Sequence, residues 1–145
     1  MTHPAIARLL LATLCGLQGL GTLAIDLGRA HATNPKWPRH ARFHVVWQVA
    51  GTALLSLLAL AILFAPGQPP QEHFYLAAML ASIPMLSFFL ALIARRLYGG
   101  ALSDPNGIPP LKISVFGSER HIDLSLAVEI LAACGLIAIV ELFRH

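Results

Sequence analysis

FHVVWQVAGTALLSLLALAILFA, Phe43 to Ala65, contains no Asp, Glu, Lys or Arg. A helix of about 20 apolar residues crosses the roughly 30 Å of hydrocarbon in a bilayer, so this run is long enough to span one. Three further runs are comparable: Ala5 to Leu27, interrupted by Arg8 and Asp26, then Phe74 to Ala94, and Leu124 to Phe143. Lipid offers a backbone no hydrogen-bond partners, so four helices are expected rather than strands. Composition agrees. The chain has 145 residues, 57% of them hydrophobic. A soluble domain this small has too much surface to cover with so few polar groups. The expected fold class is all-α, a single four-span integral membrane bundle over residues 1–145, with helices near 5–30, 38–65, 73–97 and 122–143.

The first run reads as a retained helix. No small-x-small cleavage pattern closes it, and "LATLC" has Leu14 where a lipoprotein signal wants a small residue. Cys15 and Cys134 fall inside expected helices without CxxC spacing, which suggests free buried thiols rather than a disulfide or thiolate metal site.

Basic residues set the expected orientation. The first connection carries Arg29, Lys36, Arg39 and Arg42, and the third carries Arg95, Arg96, Lys112 and Arg120. The second, "PGQPPQEH" from Pro66, has no Lys or Arg. The positive-inside rule then places loops 29–42 and 95–122 in the cytoplasm and both termini outside, in a bacterial inner membrane or its equivalent. The net charge of +3 follows from this asymmetry and calls for no nucleic acid. Anionic lipid headgroups are the simpler partner.

Proline and glycine punctuate the rest. Pro35 and Pro38 separate helices one and two, with Pro38 expected at the first helical position, where its missing N–H costs nothing. Pro84 is expected to kink helix three or release a carbonyl to another partner. "YGGALSDPNGIPP", from Tyr98, is turn chemistry throughout. The alternation in "LKISVFGSERHIDLSL" suggests a short β-hairpin about Gly117 and Ser118.

The polar chemistry concentrates in "HATNPKWPRHARFH", His31 to His44. His40, His44, Gln48 and Thr52 recur every four residues, as do Gln18, Thr22 and Asp26 on the first helix. Such rows lie along one slowly drifting helix face. If the rows face each other, Asp26 meets His40 and His44, and Glu129 approaches from helix four. Ionisable groups are expensive in lipid, so they pair or face a cavity. The expected site is a pocket open to the cytoplasm, with His40, His44, Asp26 and Glu129 as catalytic candidates. Asn34, Trp37, Gln48 and Arg42 are substrate-binding candidates. His40, His44, His31 and Asp26 are candidate ligands for a divalent transition metal, zinc or iron. A His with a carboxylate partner can equally move protons without metal. The blander alternatives are interhelical hydrogen bonds for Gln18, Thr22, Gln48 and Thr52, an Arg29 or Arg42 partner for Asp26, and interfacial anchoring by Trp37, Trp47 and Tyr98.

These residues resemble a family of small four-helix integral membrane proteins of bacteria and fungi. Its signature is an Asp followed by His-x-x-Asn-Pro-x-Trp-x-x-His-Ala-Arg-Phe-His. Asp26, His31, Asn34, Pro35, Trp37, His40, Ala41, Arg42, Phe43 and His44 stand at those positions. The match covers the first connection and its flanks. It implies the four-span architecture and brings no activity with it.

Three functions stay open on the sequence. One is a membrane enzyme acting on a lipid-soluble small molecule by metal-assisted or acid–base chemistry. A second is a non-catalytic carrier or binding protein for a hydrophobic ligand or metal ion. The third is an accessory subunit whose Gly16, Gly19 and Gly21 face packs against a partner helix, and a homo-oligomer is a further possible partner state.

Overall fold

The apolar runs fold as four helices, α1 (His3–Asp26), α2 (Arg39–Leu63), α3 (Pro70–Ala94) and α4 (Leu124–Arg144). The structure, a computed structural model, describes residues 2–66, 70–115 and 118–145. All four helices are long and apolar enough to cross a membrane. α1 packs against α2 and α4, and α3 closes the ring between them. Neighbours run antiparallel. Arg8, early in α1, donates to the Leu63 carbonyl that ends α2, and Phe74 stacks on Phe143 with ring centroids 3.7 Å apart. These contacts define a terminal end of the bundle. Asp26, Arg39 and Leu124 mark the opposite, loop end.

In lipid, apolar side chains gain nothing by leaving the solvent for a helix interface, so close packing of small residues drives association. The interior follows that rule. A Cβ on Gly19 would lie 2.9 Å from the Ser56 Cβ, so α1 and α2 touch there as only glycine permits. Gly16 and Gly21 meet nothing within 4 Å. Of the three glycines expected to receive a partner helix, Gly19 is used within the chain. Ala7, Leu11, Cys15, Ala59, Leu63, Phe74, Ala77, Ala78, Ala81, Met85, Leu136 and Ile139 form the core. Large apolar side chains such as Leu20, Leu57, Leu90 and Leu131 point outward instead. Cys15 is buried, but Cys134 is exposed, against the expectation of two buried thiols.

The core occupies only the terminal half. Within residues 20–26, 39–48, 86–97 and 124–135 no side chain is buried. Ile93 is 80% exposed and Leu131 71% exposed at this level. The helices are therefore fastened at one end and loosely packed at the other.

Pro84 lies inside α3, where its ring removes the donor for the carbonyl of Leu80 and crowds that turn. Gln18 of α1 donates its Nε2 to the neighbouring Ala81 carbonyl at 3.2 Å. The bond falls on the carbonyl next to the one Pro84 deprives of its donor. Gln18 was expected to face α2, and this bond turns it toward α3.

α1 ends at Asp26, short of the expected 30. Beyond it the amides of Gly28, His31 and Asn34 bond the carbonyls of Ile25, Gly28 and His31 in successive tight turns. Pro38 is extended (φ −56°, ψ 144°) and caps α2 from one residue outside it. A 3₁₀ turn, Arg95–Leu97, ends α3. The hairpin is present as β1 (Leu111–Val115) and β2 (Ser118–Ile122), antiparallel with Val115 opposite Ser118. Its expected turn at Gly117 lies outside the described residues.

Candidate functional site at the loop end

Asn34 organises this end of the molecule. It is 4% exposed. Its position before Pro35 keeps it extended, and its Oδ1 accepts from the Lys36 amide at 3.0 Å, an Asx turn. Its Nδ2 reaches across to the third connection and donates to the Asn106 carbonyl at 2.6 Å. A weaker contact joins the same nitrogen to the Ala30 carbonyl at 3.4 Å. Asn106 is itself set by an amide bond to Asp104 Oδ1 at 2.7 Å, so "SDPNG" is turn chemistry, as its composition suggests. The Asn34 amide latches the two cationic connections together.

Behind the latch is a cavity of about 450 Å³. His31, Trp37, Pro38 and Ala41 line one side, and Gly99, residues 101–104, Gly107 and Ile108 with Asp123, Leu124 and Ser125 line the other. Asp123 also starts α4 by accepting from the Leu126 amide at 3.0 Å, the usual N-cap bond. His31 Nδ1 lies 3.3 Å from Asp26 Oδ1, close enough for an ion pair but without the alignment of a hydrogen bond. The His31 ring stands edge-on to Trp37, with centroids 5.3 Å apart. Trp37 Nε1 and Arg42 Nε are buried donors with no acceptor among the described residues. Buried polar groups are nearly always satisfied, so such donors point to a missing acceptor.

The other expected site residues lie elsewhere. His40, His44 and Gln48 are exposed on the outer side of α2. Asp26 pairs with His31 rather than with His40, His44, Arg29 or Arg42. Glu129 is half-buried on α4 and forms no ion pair among the described residues. Thr22 bonds the carbonyls of Gln18 and Gly19 in its own helix. The two polar rows therefore do not meet. No group of three or more His, Cys, Asp or Glu with metal-holding geometry occurs among the described residues. Trp47 and Tyr98 are exposed, as interfacial anchors are. Sequence reasoning missed the cavity wall built from Ser103, Ile108 and Ser125. A turn-rich connection carries no signal of which side chains it presents. Comparison with family profiles, curated proteins and solved structures finds no match to this chain.

Proposed function

We propose that the chain is a small integral membrane enzyme whose site is the loop-end cavity, facing the cytoplasm, and whose substrate is a lipid-soluble molecule bearing a hydrogen-bond acceptor. The observation that carries this reading is the cavity wall shared by His31 and Trp37. Trp37 presents its ring, edge-on to His31, while its indole nitrogen is itself buried, so it falls to His31 to offer a hydrogen bond to a carbonyl or hydroxyl oxygen. His31, paired through Nδ1 with Asp26, is the general acid or base. A small rotation of either side chain turns the 3.3 Å contact into a hydrogen bond that holds the proton on Nδ1 and leaves Nε2 to exchange a proton with the substrate. Pro38, Ala41, Ile108 and Leu124 supply the apolar part of the wall. The loosely packed half of the bundle gives such a molecule entry from the bilayer.

A carrier would need a continuous polar route through the terminal half, where the core is Ala, Leu, Ile, Cys, Phe and Met side chains and the buried polar residues among the described ones, Ser56 and His73, are isolated. The enzyme reading is preferred on that ground.

The test is mass spectrometry of lipid-soluble molecules retained by purified wild-type protein and by Ala41→Trp, which fills the cavity. A molecule enriched with wild type and lost in Ala41→Trp identifies the ligand. Asp26→Asn should still retain it, but turn it over at least about tenfold more slowly, as expected when a positioned acid–base pair is disrupted. Equal retention by wild type and Ala41→Trp would refute the assignment.

A further inference from the structure

His40 and His44 stand one helical turn apart on the outer face of α2, outside the cavity. Their Nε2 atoms are 3.0 Å apart, and their rings are nearly perpendicular, with centroids at 4.4 Å. The two rings thus bring the same nitrogen of each together, in hydrogen-bond geometry. Two imidazole nitrogens bound to one tetrahedral zinc ion at about 2.0–2.1 Å would be about 3.3 Å apart. The observed spacing needs to open by only a few tenths of an ångström. No acidic residue lies in the first turn of α2, so imidazoles are the ligands this face can offer. One chain supplies two, whereas a closed structural zinc site takes four.

We propose that His40 and His44 are half of a divalent-metal site, completed by the same two residues of a second copy of this chain. Copies inserted in the same direction carry this pair at the same depth. A two-fold axis along the membrane normal therefore brings the pairs together, and such an interface is self-complementary. Phe43 and Trp47, 63% and 65% exposed, flank the pair. His44 and Trp47 lie with ring centroids 5.7 Å apart. This aromatic patch is continuous with the ligands and provides the contact surface around the ion. The exposed Arg39 has a stem long enough to carry its charge out to the headgroups. The chemistry balances without redox. Metal replaces the hydrogen bond between the two Nε2 atoms, the proton on one of them moves to Nδ1, and four neutral imidazoles hold the ion.

The proposal does not depend on the cavity, and His31 separates the two. The full-length protein in detergent is dialysed against zinc ion alone, and its mass is followed by light scattering with zinc and with a chelator. The expected result is saturation at one zinc per two chains and a dimer that the chelator dissolves. His40→Ala and His44→Ala should each weaken zinc binding by more than about tenfold and abolish the zinc-dependent dimer, since each removes two of four ligands. His31→Ala should change neither. Helical content by circular dichroism confirms folding of each variant, and the His40 and His44 side chains are exposed in the wild type. One zinc per chain, a dimer indifferent to zinc, or zinc binding that survives His40→Ala would each overturn the proposal.

Discussion

Replacing Asn34 by alanine should release the two cationic connections from each other while leaving the membrane bundle folded. Two well-formed hydrogen bonds disappear, Nδ2 to the Asn106 carbonyl at 2.6 Å and the Lys36 amide to Oδ1 at 3.0 Å. The 3.4 Å contact to Ala30 adds little. At about 1 kcal/mol net for each bond, the latch loses about 2 kcal/mol. Asn106 and Lys36 are exposed, so water takes over their backbone groups and no larger penalty is added. A local opening made about 2 kcal/mol easier speeds amide exchange roughly 30-fold. Hydrogen–deuterium exchange followed by mass spectrometry should show this in peptides covering 29–38 and 99–110, with the helices unaffected. Asn34→Asp sharpens the test. It keeps an acceptor for the Lys36 amide but removes the donor to Asn106, so 99–110 should loosen while 29–38 stays near wild type. Wild-type exchange of both segments in Asn34→Ala, or wild-type protection of 99–110 in Asn34→Asp, would refute the latch.

Gly19→Ala forces a Cβ to within 2.9 Å of the Ser56 Cβ and should lower stability in detergent by about 1–3 kcal/mol, the usual cost of overpacking. Adding Ser56→Gly should recover most of that loss in the same thermal melt. For orientation, cysteines placed singly at Lys36 and Gln71 in a Cys134→Ser background should label from opposite faces of sealed vesicles, because they flank a single span. Labelling from one face would remove the four-span topology.

The spans were legible because hydropathy integrates over many residues, and a run such as Phe43 to Ala65 has one outcome in a chain of this composition. Rotation of each helix about its axis was not. α2 is apolar nearly all round, so hydropathy cannot say which side faces in. The row His40, His44, Gln48, Thr52 looked like one face, yet each step of four residues drifts about 40°. Thr52 reaches the half-buried side while the first three stay outside. What fixes the rotation is the small-residue seam of Gly19 and Ser56, a weak signal beside histidines. Asp26 is paired, but not with the His40 and His44 row that its spacing suggests. Its partner His31 came within reach because α1 ends at Asp26 and the chain turns back through Gly28, a local geometry that spacing rules do not encode. Asn34 was read both as a loop cap and as a pocket residue. The structure spends its amide on the loops.

Confinement of the core to one half turns the bundle into tweezers. The Phe74–Phe143 stack and its neighbours are the hinge, and the free arms extend toward Asn34. A helix of 24 residues is about 36 Å long. The free arm is the unpacked half, about 18 Å, so a 5° change in tilt moves its tip by about 1.6 Å. The tips carry the His31–Asp26 pair. Any tilt of an arm is therefore felt at the loop end, where the Asn34 amide ties the two connections together.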